Sequence, residues 1–217
     1  MTTLTVPLAE AGPALLGALT AFEEAVAGLD DEALLAPSRC LGWARVDCLV
    51  HVRVGLEELL AGCAALTDDA PDTDAASYWT GWQEEADADP VPGILWTRRT
   101  ASAYARPSGA REHLAMVMAG LRATVPRLPE TQVAFQGMVL TTGDLAATWA
   151  VEVATHHLDL HLDDDATRPD PAALRLVRQT VDALRGEPVP AGWSDVETAL
   201  AGLGRVPSDL PGLPVLG

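Results

Sequence analysis

Apolar residues recur at helical spacing along almost the whole chain, and this constrains the fold more than any other feature. Leu15, Leu19, Phe22 and Val26 mark a first helix over about 8–28. Leu49, Val52, Leu56, Leu59, Leu60 and Cys63 form the stripe of a second over about 45–66. A polar, acidic, Pro-containing connection follows from Thr67 to Pro92. A helical piece at about 93–105 carries Trp96, and Pro107, Ser108 and Gly109 break it. A third main helix is expected at about 109–126. Residues 130–141 are β-prone. Thr142 is a plausible N-cap for a fourth helix over about 143–163, with Asp144 near its positive end. Long chain between the second and third helices lets those two run in the same direction, whereas antiparallel neighbours need only a short loop. The expectation is an all-α four-helix bundle over 1–165 with a short helical C-terminal tail over 166–217. In the tail, Asp170 and Pro171 start a helix that stops at Gly186, and Ser194 with Glu197 forms a capping box for a last one.

A chain of 217 residues that is 48% apolar supports one sizeable core. Its net charge of −17 repels phosphate backbones and anionic lipid, which argues against nucleic acid and membrane surfaces as partners. No apolar run reaches membrane-span length and no signal-peptide pattern opens the chain, so a cytoplasmic protein is expected. Cys40, Cys48 and Cys63 have no metal-ligand spacing and read as reduced core residues.

The fourth helix holds three of the five histidines in WAVEVATHHLDLHLDDD, from Trp149 to Asp165. At about 100° per residue, Glu152, His156, Asp159 and Asp163 share one face, and His157 and His161 fall on another. Glu and His at i, i+4 can hold one cation together, but a third ligand must come from elsewhere. His113 and His51 are the remaining histidines. His51 sits in the second helix, on a face with Cys48, Gly55, Glu58 and Gly62. Glycine inside a helix costs about 1 kcal/mol relative to Ala, so two on this stripe suggest a hollow beside His51. The plain alternatives stand beside this reading. A lone His51 is more often a core histidine, Cys48 a small core residue, Glu58 solvent-facing or supporting, and His157 and His161 surface or structural.

LGWARVDCLVHV and TTGDLAATWAVEVATHHLDL together resemble the DinB-like superfamily, in particular the actinobacterial branch of mycothiol-dependent maleylpyruvate isomerases (N-terminal domain). The matching motifs are Gly42-Trp43 leading to His51, and Glu152, His156, Asp159 in Glu-x-x-x-His-x-x-Asp spacing. The resemblance implies a DinB-like bundle with a divalent metal, usually Zn2+ (Ni2+ or Fe2+ being alternatives), held by His51, Glu152 and His156. It implies mycothiol as thiol co-substrate and a small electrophile as the other partner, in a monomer or homodimer. The reaction expected is S-transfer or thiol-assisted isomerisation. Asp159 and Glu58 are candidate supporting groups, and Trp43 a packing anchor near the pocket. Two other readings remain: a metal-binding or sensing module without turnover, and a non-haem iron oxygenase, which also uses two histidines and a carboxylate.

Overall fold

Helix α1 (Leu8–Ala27) buries Leu15, Leu19, Phe22 and Val26 along one side, as its apolar spacing requires. A short α2 (Asp31–Leu35) is capped by Asp30, whose carboxylate accepts from the Ala33 amide at 2.8 Å. Helix α3 (Arg45–Gly62) carries Leu49, Val52, Leu56 and Leu59 into the core. It ends earlier than its apolar stripe suggests. Leu66–Thr67 leaves the helix as strand β1 and pairs with Val133 and Gln132. The computed structural model describes residues 1–80, 89–162 and 167–216. The middle of the acidic connection, Asp163, and the boundary expected near 165 lie outside the described residues.

Helix α4 (Val91–Ala101) precedes α5 (Pro107–Thr124). Pro107 opens α5 two residues before the expected start, because a first-turn amide has no helical partner to lose, and the break after α4 falls before it. Strands β2 (Gln132–Phe135) and β3 (Met138–Thr141) form an antiparallel hairpin with Val133 opposite Leu140. Its two-residue turn, Gln136–Gly137, has φ values of 50° and 81°, which matches the twist of the flanking strands. With β1 outside β2 this makes a three-stranded sheet in the order β1-β2-β3. The hairpin delivers the chain into α6 (Thr142–Asp159), capped by Thr141, one residue before the expected Thr142. Helices α7 (Pro171–Arg185) and α8 (Asp195–Gly202) form the tail. Asp170 caps the first, and the Ser194–Glu197 capping box opens the second.

Helix α6 is buried on nearly every side, with α1, α3 and α7 packed against it. An all-round apolar helix is a core helix. Its first turn lies against the backbone of the N-terminal segment, and the Val6 amide donates to Asp144 Oδ1 at 2.8 Å. A Cβ on Gly143 would meet Val6 O, and would lie 2.6 Å from Leu8 N. Backbone cannot rotate away as a side chain can. Gly143→Ala is therefore expected to destabilise the fold by at least the ~1–3 kcal/mol of ordinary overpacking, read as a lowered urea midpoint with an unchanged slope.

Candidate metal centre

The C-terminal end of α6 is pinned to the segment leading into α3. The Arg39 amide donates to Asp159 O at 2.8 Å and its Nε to Leu158 O at 3.1 Å. Arg45 Nε donates to Leu160 O at 2.7 Å and Nη2 to His161 O at 2.9 Å. Terminal helix carbonyls lack intrahelical partners and carry partial negative charge, so two guanidinium groups satisfy both needs. This corrects the expected helix end near 163: α6 stops at Asp159, and His161 turns away with φ 52°.

The pinning brings α3 and α6 face to face at three side chains. His51 Nε2 lies 3.0 Å from Glu152 Oε1, and His156 Nε2 lies 3.2 Å from the same oxygen. The two imidazole centroids are 4.7 Å apart. The donor atoms of His51, Glu152 and His156 lie within 4.8 Å of one another, and among the described residues no fourth side chain joins that group. Two imidazole nitrogens and a carboxylate oxygen at this spacing suit a divalent cation with a free coordination position. Without a cation they hold one another by charge. Burial pushes the Glu152 carboxyl up, but His156 and His51 outweigh it and hold it well below the usual carboxylate range. Burial pulls His156 down, yet the carboxylate of Glu152 and the contacts with Cys48, Asp159 and Cys40 hold it well above an ordinary histidine.

Behind His156, its Nδ1 lies 3.0 Å from Asp159 Oδ2. Asp159 is fully buried. It also accepts a two-pronged bond from Arg205, Nε to Oδ1 and Nη2 to Oδ2, both at 2.9 Å. Arg205 comes from the tail, 46 residues later, and sequence reasoning missed it. Trp43, expected as a packing anchor near the pocket, lies against the centre: its ring centroid is 5.0 Å from that of His51 and 6.4 Å from that of His156.

The other candidates do not join the three ligand atoms. His157 is buried edge-on to Phe22 and its Nε2 meets the Thr167 carbonyl at 2.6 Å, a structural role. His161, off the helix, shares no helix face with it, which corrects the expected pairing. His113 joins Tyr104 and Glu57 away from the centre. Glu58 is exposed and accepts from Gln136 Nε2 at 2.8 Å. Cys48 is buried, 3.6 Å from His156 Nδ1. Cys40 is a correction to the core reading of the cysteines: it is only half-buried, with Sγ 3.2 Å from Asp159 Oδ2. The Cys48 thiol beside it and His156 pull its pKa down to about 6, against burial and the Asp159 charge. No helical period marks a turn residue such as Cys40, so only the spatial contact reveals it.

A cavity of about 780 Å³ opens over the centre. His51, Glu152 and His156 lie on its wall beside Trp43, Trp79 and Trp149. This cavity is the hollow expected beside His51, with Gly55 on its wall, but the two glycines themselves face aromatic rings. A Cβ on Gly55 would lie 2.5 Å from Trp149 Cη2, and one on Gly62 2.5 Å from Phe135 Cδ2. Those glycines seat aromatic rings from the facing elements, and the ring of Trp149 is part of the cavity wall.

Two solved structures share this DinB-like architecture. One is a histidine-to-alanine variant of the mycothiol-dependent maleylpyruvate isomerase, 17% identical with a TM-score of 0.58. The other is the mycothiol-dependent maleylpyruvate isomerase itself, 16% identical with a TM-score of 0.57. Each alignment covers 83% of this chain and 72% of the other. No curated protein matches. The family model for the mycothiol maleylpyruvate isomerase N-terminal domain matches residues 15–161, all four bundle helices included save the start of the first. With that match spanning well over half of its length, the chain belongs to the mycothiol maleylpyruvate isomerase N-terminal domain family.

Proposed function

We propose that this chain is a divalent-metal-dependent enzyme that activates a low-molecular-weight thiol, mycothiol, toward a small electrophile. The observation that carries the reading is the convergence of His51 Nε2, Glu152 Oε1 and His156 Nε2 on the wall of an aromatic-lined cavity. These three residues would hold the ion, zinc being the leading choice for such donors. When bound, the ion supplies Lewis acidity at a free position, which favours a coordinated thiol as its thiolate.

The chain's own groups do the rest. Asp159 accepts from His156 Nδ1–H and so leaves the Nε2 lone pair aimed at the centre. Arg205 fixes Asp159 from behind. Trp43 lies tilted beside both imidazoles and, with Trp79 and Trp149, keeps water from part of the cavity. Within it the thiol sulfur adds to an activated double bond; rotation about the resulting single bond and elimination of the thiol give the isomer. The structural relatives are named as mycothiol-dependent isomerases, which supports this course. Displacement of a leaving group from the same position would give S-transfer.

A thermal-shift series on tag-free protein tests the reading. Mycothiol at about 100 times its Kd is expected to add about 2.7 kcal/mol of stability, or roughly 5 °C or more in Tm, only when metal is present. Equal shifts with and without metal, or none in either case, would contradict it.

A further inference from the structure

Two thiols meet on the side of His156 that faces away from the centre just described. Cys48 Sγ is 3.6 Å from His156 Nδ1, and Cys40 Sγ is 3.9 Å from it. The donor atoms of Cys40, Cys48 and His156 all lie within 4.8 Å of one another. Donors about 2.0–2.3 Å from a shared ion sit roughly 3.5–4 Å apart, so the sulfur–nitrogen distances match those of ligands to one cation. Cys48 is sealed in the core, and half-buried Cys40 gives the route in from the turn before α3. The set is soft where the first centre is hard: two sulfurs and a nitrogen against two nitrogens and an oxygen. Thiolate donors select thiophilic ions such as copper(I) over the divalent ions that suit imidazole and carboxylate.

We propose that Cys40, Cys48 and His156 form a second cation site, distinct from the His51–Glu152–His156 centre, that takes copper(I). Copper(I) takes both sulfurs as thiolates and His156 as a neutral imidazole, and the S–H and N–H protons still held there pass to solvent. His156 is shared by position: Nε2 points to the first centre and Nδ1 to the sulfurs, and copper(I) at Nδ1 takes the place of its hydrogen bond to Asp159 Oδ2. A neutral imidazole has one lone pair, so the nitrogen serves one ion at a time, while the sulfur pair belongs to copper(I) alone.

The test is anaerobic titration of reduced, metal-free protein with copper(I) bicinchoninate, following loss of the chelate colour. Wild type and Cys63→Ser are expected to withdraw one equivalent. His51→Ala is expected to do the same, which separates this site from the first: loss of divalent metal in that variant leaves copper(I) binding in place. Cys40→Ser and Cys48→Ser are expected to weaken binding by about 100-fold or more, with far-UV circular dichroism confirming the fold. Should Cys48→Ser not fold, Cys40→Ser, at a half-buried turn, decides alone. No withdrawal by wild type, or full withdrawal by Cys40→Ser, overturns the proposal.

Discussion

His156→Ala loses its divalent metal. Wild-type, tag-free protein is expected to carry about one equivalent by mass spectrometry, and the variant close to none. Groups that merely support a metal ligand typically contribute 10–100-fold in affinity, so removal of a ligand itself is expected to cost more than ~100-fold. Turnover with mycothiol falls in proportion. His157→Ala is the matched control. His157 is adjacent, on the same helix and equally buried, but its nitrogen meets a backbone carbonyl and not the centre. That variant should lose stability and keep its metal. Equal metal content in the two variants would refute the ligand set.

Arg205→Ala has the largest expected effect on stability. Asp159 is fully buried and holds its charge between His156 and Arg205. Burial pushes its carboxyl up, and those two partners hold it well below the usual range. Removing one partner of a buried ion pair leaves charge uncompensated, at a cost of about 3–5 kcal/mol. The remaining His156 contact places the loss near the lower end, about 3 kcal/mol. The substitution also frees the tail, because Arg205 ties it to Asp159 at the end of α6. A second effect follows at the centre: with Asp159 no longer fixed, His156 is less well aimed, and metal affinity should fall by about 10–100-fold. Urea denaturation of the metal-free protein isolates the first effect, and metal titration reads the second. A loss under about 1 kcal/mol would mean that the tail does not anchor Asp159.

Local periodicity carried most of the fold. The stripes through Leu15–Val26 and Leu49–Leu59 place two helices, and the cap at Asp170 and the box at Ser194–Glu197 place two more. Failures came where distant parts of the chain decide. The end of α6 is set by Arg39 and Arg45, more than a hundred residues earlier, so the apolar pattern through Leu160 and Leu162 overran it. Gly55 and Gly62 signalled room beside His51, but a missing Cβ does not say what uses it: rings of Trp149 and Phe135 pack against the glycines, and the cavity lies beyond. At the centre, the i, i+4 spacing of Glu152 and His156 is legible from helix geometry alone. The convergence of His51 on them is a tertiary fact, for which the glycines on its face and the family resemblance gave the only grounds. Cys40 and Arg205 sit in a turn and a Pro-rich tail, where no period exists to mark a functional face.

Anomalous diffraction from crystals grown with one equivalent of zinc tests the central claim most directly. The expected result is a single peak about 2 Å from His51 Nε2, His156 Nε2 and a Glu152 carboxylate oxygen, with no fourth side chain in contact. Zinc found away from those three atoms, or closed off by a fourth protein donor, would contradict the account.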